Sequence, residues 1–158
     1  MLPLPTLYML VVGKGEGKKK LTAFDVALLD AGIGNMNLLR VSSVLPPGCT
    51  LASRLDIPAG SLLPVAYGSI TSDVPGERIA AAIGVGVPED PALSGMIMEF
   101  SAFTSADEAS LRVEEMVREA FAFRGYPLKE VKVKAIEHVV DECGAVIAAC
   151  PLFYERER

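Results

Sequence analysis

Apolar, β-branched stretches, several of them closed by a glycine- or proline-containing turn, constrain this chain more than any other feature of its sequence. Thr6 to Val12, Ser61 to Thr71, Ile79 to Val87, Leu93 to Phe103, Val131 to Val140 and Ala145 to Phe153 each read as a strand. Asn37 to Val44 is a further strand-like run, ended at Pro46-Pro47-Gly48 because proline cannot donate to a ladder. Asp73-Val74-Pro75-Gly76 is a turn between two of the strands. Two segments follow helical spacing instead. Thr22 to Asp25 opens a short helix, with Thr22 as cap, Asp25 bonding back to it and Gly32 past its end. Ser105-Ala106-Asp107-Glu108 is a capping box for a longer helix, whose Val113, Met116, Val117, Ala120 and Phe121 form a core-facing stripe before Gly125 stops it. Gly13 to Lys20 is expected to be a surface loop. The sum is one α/β domain, richer in strand than helix, with sheets packed together and helices outside.

A chain of 158 residues suits a single domain, and 51% hydrophobic against 22% charged residues makes it globular rather than disordered. The net charge of −5 argues against nucleic-acid binding, which needs a basic face to release counterions. The Lys18-Lys19-Lys20 run reads as a solvated loop. Three cysteines (Cys49, Cys143, Cys150), no CxxC pair and a single histidine, His138, predict reduced thiols and no structural metal site. Met1 to Pro5 lacks a basic n-region, and no apolar run approaches the roughly 20 residues of a membrane span. The expectation is a cytoplasmic protein that binds no membrane. So much apolar sequence in so small a domain also points to an oligomer.

Among candidate motifs, Gly13-Lys14-Gly15-Glu16-Gly17-Lys18 is not a P-loop: the glycine spacing is one residue short and Lys19 stands where a hydroxyl is needed. His138 has no metal-ligand neighbours in sequence and is expected to have no role. Ser42-Ser43 would by itself be an ordinary pair of hydroxyls at a strand end. The surrounding segment Gly32-Ile33-Gly34-Asn35-Met36-Asn37-Leu38-Leu39-Arg40-Val41-Ser42-Ser43-Val44-Leu45-Pro46-Pro47, however, closely resembles the cleavage-site region of pyruvoyl-dependent arginine decarboxylases. Gly13 to Leu29, Pro64 to Glu77, Gly95 to Glu99 and Glu137 to Tyr154 resemble the same family in the same order, so the likeness spans nearly the whole chain.

That resemblance implies a four-layer αββα sandwich, as in pyruvoyl-dependent arginine and histidine decarboxylases. It implies that the chain cuts itself between Ser42 and Ser43, leaving a β fragment of 42 residues (1–42) and an α fragment of 116 (43–158). The Ser43 hydroxyl attacks the preceding carbonyl, the amide becomes an ester, and elimination and hydrolysis turn residue 43 into a covalent pyruvoyl group. No metal and no pyridoxal phosphate are then required. The substrate would be L-arginine, held as a Schiff base on that group and released as agmatine and CO2, in trimers or hexamers with active sites between protomers. By the same resemblance Asn37 would stabilise the oxyanion formed at the Ser42 carbonyl. Glu99 would return a proton to the α-carbon, its carboxyl raised by burial above its usual value of about 4.3. Asp25 would pair with the substrate guanidinium, and Gly34 and Met36 are wall candidates. Two other readings stay open: the same chemistry on another amino acid, and an unprocessed trimeric relative that binds an amine without cleaving.

Overall fold

A computed structural model describes residues 1–155; the last three residues of the expected 43–158 fragment lie outside them. The strands are β1 (Leu7–Tyr8), β2 (Val11–Glu16), β3 (Asn37–Arg40), β4 (Val44–Leu45), β5 (Thr50–Leu51), β6 (Leu62–Ser72), β7 (Arg78–Pro88), β8 (Gly95–Ala102), β9 (Leu128–Val139) and β10 (Gly144–Phe153). The helices are α1 (Lys20–Asp30) and α2 (Ala106–Arg124). A six-stranded sheet runs β3-β6-β10-β1-β5, with β2 also paired to β10, and a four-stranded sheet runs β4-β8-β7-β9.

Alternation along two central strands sorts the core into three layers of side chains. On β10, Ala145, Ile147 and Ala149 pack with Ala23, Ala27 and Leu28 of α1, while Val146, Ala148 and Cys150 turn inward. On β7, Ile79, Ala81, Ile83 and Val85 meet that inner layer, whereas Ala80 and Ala82 lie under Val113, Val117 and Phe121 of α2. A strand buried on both faces has no polar side to show, which is why both runs read as continuous apolar sequence. The expected helix–sheet–sheet–helix sandwich is the result.

Several local expectations are corrected. Gly13 to Glu16 is not a loop but most of β2, paired with β10 from Gly13↔Ile147 to Glu16↔Gly144. Its glycines alternate because α1 lies against them: a Cβ at Gly13 would strike the Ala27 carbonyl, and one at Gly15 the Val26 side chain. Thr22 is not the N-cap of α1. It sits one turn inside, its hydroxyl accepting from the Lys19 N–H at 3.1 Å, so Lys19 is the cap and Asp25 takes no part. Thr6 to Val12 is two strands, broken where Pro151 of β10 has no N–H to offer, though its carbonyl accepts from Met9. Asn37 to Val44 is also two strands, and they belong to different sheets. The long helix keeps its Ser105 cap, which accepts from the Glu108 N–H at 3.2 Å, and its Gly125 stop at φ 67°, but the expected capping box is only half made, since the Glu108 carboxylate accepts from Arg112 at 2.9 Å.

Candidate active site

The segment that changes sheets holds the serine pair. β3 runs parallel to β6 as far as Arg40↔Val65, and the Val41 N–H still reaches the Val65 carbonyl at 3.1 Å. Beyond it the chain leaves the six-stranded sheet. The Ser43 carbonyl accepts from the Ile97 N–H at 2.8 Å, and Val44 pairs with Met96 at the edge of the four-stranded sheet. The Ser42–Ser43 peptide therefore bridges the two ladders, anchored on each side. Ser42 is exposed and Ser43 half-buried.

Glu99 arrives at this place from β8. Two residues beyond Ile97, it shares that residue's face by strand periodicity and so points toward the other sheet, not away from it. There it lies against Gly68 of β6, where a Cβ would stand 3.1 Å from the Glu99 Cγ. The Glu99 side chain is 30% exposed, and its Oε1 faces the Arg40 guanidinium at 3.5 Å. Arg40 also donates to the Tyr67 carbonyl at 2.8 Å and stacks over the Tyr67 ring at 4.5 Å. Phe24 of α1 packs on the same ring, with centroids 6.3 Å apart.

The remaining candidates gather elsewhere. Asn37 starts β3, and at about 3.3 Å per residue the strand alone sets it roughly 10 Å from Arg40. Its amide donates to the Gly60 carbonyl at 3.2 Å rather than to Ser42 as expected. Gly34 lets the loop close on Leu29, into which a Cβ would run. Met36 is partly buried against the core beneath α1, more floor than wall. Asp25 is exposed on α1, and among the described residues no hydrogen bond or ion pair engages it. Within one chain, then, Ser42, Ser43 and Glu99 come together, while Asp25, Gly34, Met36 and Asn37 lie around α1 and the loop after it.

Sequence reasoning missed two features. One is the Arg40–Tyr67 stack; Arg40 stood inside the resembling segment, but nothing local marked its partner 27 residues on. The other is His138, which does have a role: its Nε2 lies 2.6 Å from Glu16 Oε1. Glu16 also accepts from the backbone N–H groups of Asp141, Glu142 and Cys143 at 2.8, 3.2 and 2.9 Å, clamping the turn before β10. Partial burial pushes the Glu16 carboxyl up, but these donors outweigh it and hold the group down at about 2.

Residues 7–157 match the family model described as pyruvoyl-dependent arginine decarboxylase. The pyruvoyl-dependent arginine decarboxylase of Methanocaldococcus jannaschii is 47% identical over 152 residues, covering 96% of this chain and 92% of that one. The enzyme of the same name from Pyrococcus abyssi is 43% identical, covering 94% and 96%. A solved structure of pyruvoyl-dependent histidine decarboxylase at pH 8 superposes with a TM-score of 0.54 at 16% identity, over 63% of this chain and 54% of that one. At that identity the likeness is one of fold.

Proposed function

The chain belongs to the pyruvoyl-dependent arginine decarboxylase family, and from that premise we propose that it cuts itself between Ser42 and Ser43 and then decarboxylates L-arginine to agmatine. The observation that carries this reading is the bridging peptide. A bond held at both ends by different sheets, and exposed between them, is open to attack yet cannot drift away once broken. The Ser43 hydroxyl adds to the Ser42 carbonyl carbon, and the C–N bond breaks as the acyl group moves to oxygen. Removal of the residue 43 Cα proton together with the Cβ–O bond then frees the Ser42 carboxylate and leaves a dehydroalanine, which takes up water and releases ammonia.

The residues fit the group that results. After the cut, residue 43 stays joined to Val44 in β4, and the Ile97 N–H already holds its carbonyl. A pyruvoyl group at that position supplies the electron sink that carbon dioxide loss requires and that ordinary side chains lack. Glu99, pressed against Gly68 beside the bridge, is the group to carry the proton returned to the α-carbon. Asp25 is an unengaged carboxylate suited to a guanidinium fork, which it can accept through two parallel hydrogen bonds.

Because no hydrogen bond or ion pair among the described residues joins Asp25 or Asn37 to Ser43 or Glu99 within one chain, the reading is completed by a second protomer. The α1 region of one copy would face the sheet crossover of its neighbour, in a trimer or a pair of trimers. The exposed Val26 and Leu29 of α1, with Leu39 and Val44 beside the crossover, are apolar surface for that contact. Three free thiols, two of them buried, suit a reducing cytoplasm. Intact-mass measurement tests the central step. The wild-type chain should resolve into fragments of 42 and 116 residues, and Ser43→Ala should remain one 16.8 kDa species without decarboxylase activity. An uncut Ser43→Ala chain that still releases carbon dioxide would overturn it.

A further inference from the structure

We infer that Arg40 is a positioning residue for the reaction, setting the Glu99 carboxyl toward the crossover through a contact that joins the two sheets. The inference deepens the reading of Glu99 given above and rests on it. Arg40 ends β3 in the six-stranded sheet, and Glu99 belongs to β8 in the four-stranded one, so their contact crosses the gap that the Ser42–Ser43 peptide bridges. A lone surface pair at 3.5 Å with the arginine 58% exposed would be weakly ordered. Here the guanidinium is fixed independently of Glu99. The Tyr67 carbonyl accepts from Nη2 at 2.8 Å, the Tyr67 ring lies 4.5 Å beneath the Cζ, and Phe24 backs that ring. The glutamate is limited from its other side, since its Cβ and Cγ pack on the Gly68 backbone.

A carboxyl held by its stem and by one oxygen has little freedom left. Arg40 engages Oε1, which leaves Oε2 to carry the proton. Arginine suits this task better than lysine, because its planar group can stack on a ring while donating to two acceptors at once. Arg40 also lies on the 1–42 fragment and Glu99 on the 43–158 fragment, so the contact ties the two pieces together after the cut.

The test compares Arg40→Met, Arg40→Lys, Glu99→Gln and the double variant Arg40→Met/Glu99→Gln, with rates expressed per cleaved chain from intact mass. Arg40→Met should cleave normally and lose on the order of tenfold to a hundredfold in kcat with little change in KM. Arg40→Lys should recover only part of the loss. The double variant should be no slower than Glu99→Gln alone, since a positioning residue has nothing left to position. A crystal structure of cleaved Arg40→Met should show the Glu99 carboxyl turned from its place beside Tyr67. A rise in KM at constant kcat would make Arg40 a substrate contact, and failed cleavage would make it part of self-processing; either overturns the inference. So does an additive loss in the double variant. Full kcat in Glu99→Gln would instead remove the proton-transfer reading beneath it.

Discussion

Under the proposed function, the sheet crossover and the α1 shoulder would meet the same substrate, and they are built in opposite ways. At the crossover several groups are held: the Ser43 carbonyl by Ile97, Arg40 by Tyr67, Glu99 by Gly68 and Arg40. On the shoulder Asp25 stands exposed and unengaged, while its helix is fixed tightly from below by the glycines of β2. The difference matches what each must do. Bond making and breaking lose rate when a reacting group is misplaced by an ångström. Recognition of a charged ligand needs a carboxylate that has not already been satisfied by the protein.

The sharpest way to break this comparison is to separate the two regions on different chains. At arginine well below KM, Glu99→Gln and Asp25→Asn should each abolish most activity alone, and chains co-expressed in equal amounts should regain about a quarter of the wild-type rate, because random assembly leaves that share of contacts with both halves intact. No recovery would place both regions in one protomer's site. Of smaller size is the effect of Asp25→Asn on its own. It should raise KM for arginine on the order of 10- to 100-fold, as expected when a charged hydrogen-bonding partner is lost, and leave self-cleavage untouched by intact mass. Relative rates on arginine, ornithine and lysine should also converge. Unchanged preference for arginine would remove Asp25 from recognition.

The smallest effect concerns the mount of the shoulder. Glu16 closes β2 and clamps the 141–143 turn, and its carboxyl is lowered from the ordinary 4.5 to about 2. A carboxyl depressed on folding stabilises the fold fully above pH ~4.5, and that contribution disappears as pH falls toward ~2. Wild-type thermal midpoints should therefore drop across that window, and Glu16→Gln should start lower at neutral pH and drop less. Equal slopes for the two proteins would show that the clamp does not stabilise the fold.

Local rules were enough for the central strands β7 and β10, because a strand buried on both faces must be written in unbroken apolar residues. They were also enough for α2, whose Ser105 cap and Gly125 stop lie within its own turns. They failed at β2, since a glycine that makes room for a helix looks the same in sequence as one that makes a loop. The serine pair, Glu99 and Asp25 were legible only through a likeness spanning the chain; their local patterns admit plain structural explanations. What the amino-acid order determined unaided was the long strands, the two helices and their apolar faces, which depend on residues a few positions apart. The tertiary structure alone decided that Asn37 to Val44 divides between two sheets, that Arg40 meets Glu99 59 residues away, and that the Asn37 amide donates to Gly60. Those outcomes depend on which strands become neighbours, and strand neighbours are chosen by the packing of the whole core.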